Sequence, residues 1–206
     1  VKNLQPTELW GHFVELNAVP RGSKKEKKVI EFIKNFGEKL GLKTTVDDVG
    51  NVIIKKPAAP GMEKLTTIVL QSHLDMVHQK NSGTDFNFDS QGIEMLVDGD
   101  WVKANGTTLG ADNGIGVASI MAILASKTIQ HPAIEALFTI DEETGMTGAM
   151  NLKGGLLNAT ILLNLDTEDD NELTIGCAGG IDVTATANFE QEDSPPGAKA
   201  FRITLN

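Results

Sequence analysis

Apolar positions recur along this chain with two different periods, and the changes of period mark its elements. Between residues 4 and 17, Leu9, Trp10, Phe13, Val14 and Leu16 recur at the three- and four-residue spacing of one helix face. The run "SKKEKKVIEFIKNFGEKLG" repeats that spacing with Val29, Ile30, Ile33, Phe36 and Leu40 and sets its lysines on the opposite, solvated side. Ser23 and Glu26 stand at capping-box spacing before it, and Gly41 is a natural stop. Strands read from shorter runs. "KTTVDDVGNVIIKK" predicts two segments turning at Gly50-Asn51, and "IEMLVDGDWVKA" a small hairpin turning at Asp98-Gly99. Residues 66–71, "AIEALFTI" and "ATILLNL" are continuous apolar runs, as strands buried on both faces require. An apolar helix is expected over residues 115–126 and a short helical turn over 147–152. "KPAAPGMEK" and residues 80–92 read as loops.

Helices alternate with apolar strands up to residue 166, which predicts an α/β fold with a mixed, largely parallel central sheet. "LTIGC", "IDVTATANF" and "AFRITLN" predict further strands with a turn at "EDSPPGAK". They are expected to begin a different, antiparallel layer.

Composition narrows the function classes. The chain has 206 residues, 40% hydrophobic and 22% charged, enough for one domain and part of a second. Its formal net charge of -10 disfavours nucleic acid as a partner and gives no reason to expect binding to an anionic membrane. No apolar stretch reaches the ~18 residues of a membrane span, and no charged-then-apolar leader opens the sequence. Cys177 is the single cysteine, so an intrachain disulfide is excluded; a buried structural thiol in a reducing, cytoplasmic setting is the expectation.

Chemistry gathers where the predicted strands end. "TTIVLQSHLDMVH" turns from a buried strand into His73, Asp75 and His78. Residues 133–140 run into Asp141, Glu142 and Glu143, residues 160–165 run into Asp166, and Asp112 sits in a Gly-rich turn before a helix. In open α/β sheets the carboxyl ends of the strands meet at one rim. So many acids in one place require a positive partner, and an imidazole among carboxylates suits zinc, manganese or cobalt. Asp75, two residues on in an extended segment, can orient the His73 ring. The adjacent Glu142 and Glu143 point apart, so one can bind metal while the other moves a proton. His78, beyond the strand, reads as an exposed loop residue.

These strings also carry a resemblance. "SHLDMV", "GTTLGADNGIG", "DEETGMTGA" and "LLNLDTED", in that order, resemble the metal-site motifs of the co-catalytic zinc exopeptidases, the superfamily that includes carnosinase and the carboxypeptidase G-type enzymes. The resemblance runs the length of the chain and is strongest to dipeptidases of that group. It implies a three-layer catalytic domain over residues 1–180 and the start of a lid, or dimerisation, domain over 181–206. It implies two Zn2+ ions, with Co2+ or Mn2+ as substitutes. His73 and Asp166 would hold the first ion, Asp112 would bridge, Glu143 would hold the second, and Glu142 would be the general acid/base. Asp75 would support His73, and the Asp112-Asn113 bond would be cis. The implied substrate is a dipeptide, including Xaa-His, and the implied complete enzyme is a homodimer through the lid.

The superfamily completes its second zinc site with a histidine beyond the lid. The chain stops at Asn206, and His12, His78 and His131 match no ligand motif, so an N-terminal portion of a longer enzyme is the expectation. The motifs leave open an N-acyl amino acid amidohydrolase, or a non-catalytic fragment. "DTEDDNE" lacks the spacing of an EF-hand loop, and "GADNGIG" is not the G-x-G-x-x-G of dinucleotide sites.

Overall fold

The computed structural model describes residues 1–167, 171–176, 179–181 and 183–203. The chain begins with two helices, α1 (Thr7–Asn17) and α2 (Lys27–Lys39), and the hairpin β1 (Lys43–Val46) and β2 (Val52–Lys56). Then come β3 (Ile68–His73), the separate hairpin β4 (Met95–Asp98) and β5 (Trp101–Ala104), and helix α3 (Ala111–Ala125). Strand β6 (Ile134–Thr139), two single-turn helices, α4 (Glu142–Gly145) and α5 (Thr147–Met150), and β7 (Ile161–Asn164) complete the order.

Five strands form the central sheet in the order β1-β2-β6-β3-β7. β6, β3 and β7 run parallel, and the β1–β2 hairpin joins β6 antiparallel, so the sheet is mixed around a parallel core. Register does the positioning. His73 lies opposite Thr139, and Gln71 opposite both Leu137 and Asn164, so β3, β6 and β7 end at nearly one level.

Hydrophobic burial explains the layers. On one face Leu16, Val29, Ile33 and Ile120 from the helices meet Val52, Ile54, Leu70, Ala136 and Phe138 from the sheet. On the other face Ile53, Val69 and Leu137 are covered by Leu152, Leu156 and Leu157 from the segment after α5. β6 is buried at all six positions, as a central strand with both faces covered must be. α3 is apolar nearly all round because it packs between α1 and β3.

One of the two expectations for the ends of α2 is corrected. Ser23 and Glu26 make no capping box: α2 starts after Glu26 with no side-chain cap, and both side chains bond elsewhere. The stop is as expected, with the Gly41 amide on the Glu38 carbonyl and the Leu42 amide on the Gly37 carbonyl.

Residues 1–170 form one compact unit and residues 171–206 a second. The strands expected after residue 172 are absent among the described residues, which show only a turn closed by the Ala198 amide on the Pro195 carbonyl. A strand exists through its ladder with a neighbour, and here Leu173, Ile175, Ile181 and Val183 are exposed instead of packed. Cys177 lies outside the described residues.

Candidate active site

The site is built where β3, β6 and β7 stop. β3 ends at His73, and the Leu74 amide then bonds the Thr139 carbonyl at 2.8 Å, so the chain stays tied to β6 for one residue more. That tether delivers Asp75 to the interior, where it is fully buried. Its carboxylate accepts bonds from the Ser23 hydroxyl at 2.8 Å and from the Glu142 and Glu143 amides at 3.0 and 3.2 Å. It also lies 3.3 Å from His73 Nδ1, whose nearest acceptor is the Asp75 carbonyl at 3.1 Å. One carboxylate therefore fixes the imidazole and the first turn of α4 together.

The other imidazole nitrogen faces the acids. His73 Nε2 is 2.9 Å from Asp112 Oδ1, 3.8 Å from Asp166 Oδ2 and 4.0 Å from Glu142 Oε2. Asp112 reaches it from the start of α3, where Asp112 and Asn113 depart from helical geometry and the bond between them is cis. Glu142 and Glu143 come from α4, and Asp166 from two residues past β7.

The electrostatics follow from this crowding. Burial alone would lower the pKa of His73, but its contacts with Asp75 and Asp112 outweigh burial and hold it at about 9. Burial opposes ionisation of Asp75 as well. The His73 ring and the donated bonds overcome it and hold the carboxyl down at about 2. Glu142, Glu143 and Asp166 are all pushed up, by burial first and then by neighbouring carboxylates, against the pull of His73. These three acids are crowded against charges of their own sign.

A cation meets that need, and the donor atoms fit one. Ligating atoms of His73, Asp112 and Asp166 lie within 4.8 Å of one another, as do those of His73, Glu142 and Glu143. One imidazole nitrogen with carboxylate oxygens is a donor set for zinc, manganese or cobalt. The structure thus brings together all six residues singled out from the sequence: His73, Asp75, Asp112, Glu142, Glu143 and Asp166.

The remaining histidines stay apart from these clusters. His12 packs edge-on against Phe36, and His131 is buried against the Pro132 carbonyl. His78 is not the exposed loop residue expected. Its ring stacks on Phe88 at 4.3 Å and lies over Gly22, because that close backbone leaves room for an aromatic ring.

Just beneath the rim lies a grouping that sequence reasoning missed, although Asp141 was counted among the strand-end acids. Glu26 and Asp141 form, with Asp75, a second group of carboxylates, all three buried. Glu26 accepts the Asp141 amide at 3.1 Å, and burial above all pushes its pKa up. Asp141 has a left-handed backbone and is held by the Thr144 and Thr147 hydroxyls. Ser23 and Glu26 had only the S-x-x-E spacing as a signal, and that pointed to a helix cap. Arg21, fully buried nearby, had no signal at all.

Imidazole and carboxylates gathered beyond parallel strand ends make an α/β protein with a donor set suited to a metal ion, and the chain belongs to peptidase family M20/M25/M40, whose family model matches residues 69–204. Among individual relatives, it is 45% identical over 205 residues to the cytosol non-specific dipeptidase of Escherichia coli (strain K12), covering 100% of this chain and 42% of that protein. The crystal structure of aminoacylhistidine dipeptidase from Vibrio alginolyticus superposes with a TM-score of 0.81 at 50% identity, over 82% of this chain and 34% of that one. Aminopeptidase PepT from Bacillus cereus superposes with a TM-score of 0.67 at 28% identity, over 79% of this chain and 43% of that one. The chain therefore spans less than half the length of these relatives.

Proposed function

We propose that this chain carries the catalytic face of a metal-dependent dipeptidase that hydrolyses Xaa-His and other dipeptides in the cytoplasm. The observation that supports this most is the convergence of His73, Asp112, Glu142, Glu143 and Asp166 from four separate segments on one rim. Similarity to two dipeptidases supports the substrate class.

In this reading His73 and Asp166 would hold one zinc ion and Glu143 a second, with Asp112 a ligand that would serve both; Co2+ or Mn2+ would substitute. Bound divalent ions supply the charge that polarises a scissile carbonyl and makes water acidic near neutral pH. Glu142 takes a proton from the attacking water and delivers it to the departing amine. Burial and neighbouring acids raise its pKa, which suits a group that must both accept and release a proton. Asp75 fixes the Nδ1 side of His73, so Nε2 stays turned to the ligand side. Beside Glu142 and Asp166 opens a cavity of about 210 Å³ with Leu137, Ile140, Met146 and Leu162 in its walls. It has room for a substrate side chain. In the same reading residues 1–180 belong to the catalytic domain, and 181–206 begin a lid through which two copies pair.

The test uses Glu142→Gln. The variant is expected to keep its metal and lose turnover of an Xaa-His dipeptide by about 10²- to 10⁴-fold. Near-normal turnover with metal retained would remove Glu142 from its role.

A further inference from the structure

Beneath the acid rim sits a guanidinium that the chemistry above leaves unused. Arg21 is 1% exposed. Its Nη1 donates to the Leu74 and Asp75 carbonyls at 3.1 and 3.2 Å. Its Nη2 donates to Asn17 Oδ1 at 3.0 Å and to the Gly110 carbonyl. These acceptors belong to three segments: the end of α1, the chain just past β3, and the turn before α3. Leu74 and Asp75 follow His73 directly, and Gly110 lies two residues before Asp112. The planar fork thus spans the two loops whose side chains meet at 2.9 Å above it, His73 Nε2 to Asp112 Oδ1.

The glycines of "GADNG" make its cradle. A Cβ at Gly110 would lie 2.4 Å from Arg21 Nη2, and one at Gly114 would lie 2.7 Å from it. A guanidinium held by four acceptors cannot retreat from either. Gly110 also has φ +71°, which favours glycine. The loop is shaped around a buried cation.

The charge has an evident use. Burial lowers the pKa of Arg21, to about 10, against the attraction of Asp75, Asp112 and Glu143, so it remains a cation at neutral pH. A fixed positive charge below the rim offsets part of the repulsion among carboxylates gathered there.

We infer that Arg21 is a positioning residue: its guanidinium sets the spacing of the His73 and Asp112 loops and so preforms the metal-binding rim. This rests on the metal-dependent reading of the site. A role confined to folding would lower the melting temperature and leave the affinity of the folded protein for metal untouched. A positioning role predicts weaker metal binding by the folded protein.

The experiment titrates Co2+ into metal-free full chain by its visible absorption, for wild type, Arg21→Lys and Arg21→Met, with melting curves with and without Co2+. Arg21→Met is expected to bind Co2+ about 10- to 100-fold more weakly and to lose most of the metal-induced rise in melting temperature. Arg21→Lys, which keeps the charge and loses the fork, is expected to fall between. Wild-type Co2+ affinity in a folded Arg21→Met, even at a lower melting temperature, overturns the inference. If Arg21→Met does not fold, Arg21→Lys decides: weakened binding supports positioning by the fork, and unchanged binding overturns it. Failure of the wild type itself to take up Co2+ overturns instead the metal reading on which the inference stands.

Discussion

Replacing Asp75 by asparagine keeps the shape of the side chain and removes its charge. Asp75 is fully buried, receives three donated bonds and lies 3.3 Å from His73 Nδ1. Asparagine offers one oxygen and one NH2, so either orientation sets a donor against a donor. His73 is held at about 9 rather than 6.5. At about 1.4 kcal/mol per pH unit, that is roughly 3 kcal/mol of favourable interaction for the imidazolium, part of it owed to Asp112. A buried donor left without an acceptor costs about 1–3 kcal/mol more. The expected loss for Asp75→Asn in the metal-free protein at neutral pH is therefore about 3–5 kcal/mol, the range for breaking a buried pair. Urea denaturation of both proteins measures it. Because the folded pKa of His73 is raised, the stabilisation from the pair is complete below 6.5 and lost as pH rises through about 9. Asp75 is depressed, so its own contribution is complete above its ordinary value of 3.8 and is lost as pH falls from there through about 2. The difference between wild type and variant should thus shrink near pH 10, leaving the mismatched donor alone. A loss below about 1 kcal/mol at neutral pH, or a difference that does not change with alkaline pH, would refute the pairing.

Further outcomes follow from the same contacts. Ser23→Ala should cost about 1 kcal/mol in wild type and almost nothing in an Asp75→Asn background, because its partner is Asp75 and not the α2 amides; a double-mutant cycle measures this. Metal uptake at neutral pH should release the proton that the raised His73 holds, so affinity should rise with pH up to about 9, and calorimetry in buffers of different ionisation enthalpy counts the proton. Phe138→Ala, at a fully buried position between helices and sheet, should cost about 3–5 kcal/mol in urea denaturation without changing metal stoichiometry. Xaa-His dipeptides assayed beside N-acyl amino acids should be the better substrates of the metal-loaded enzyme, and the reverse order would favour the amidohydrolase reading.

The sheet and the rim were legible because both depend on local runs. Residues 66–71, "AIEALFTI" and "ATILLNL" are apolar enough to be strands, and each is followed within a few residues by the acids or imidazole it presents. What lies beneath the rim depends on distant partners and leaves no period. Ser23 and Glu26 have the spacing of a helix cap, yet Asp75, 52 residues from Ser23, takes the hydroxyl, and the Asp141 amide takes the carboxylate. Arg21 sits between a proline and a glycine and resembles any loop arginine until Asn17, Leu74, Asp75 and Gly110 are seen around it. The alternation in "IDVTATANF" is a genuine strand pattern, but alternation names a face and not a neighbour to pair with.

β7 occupies the edge of the sheet, with β3 as its only partner among the described residues, and Ile161, Leu162 and Leu163 remain about half exposed. Asp166 hangs from this strand, 93 residues after His73. In chain order β3, α3 and β6 all precede β7, and Asp166 joins the acid group only where β7 pairs with β3. Pairing of β7 with β3 is what carries Asp166 to His73, so opening of that ladder would withdraw the carboxylate from the imidazole. Amide exchange along residues 161–164 and the off-rate of bound metal should therefore report the same opening event.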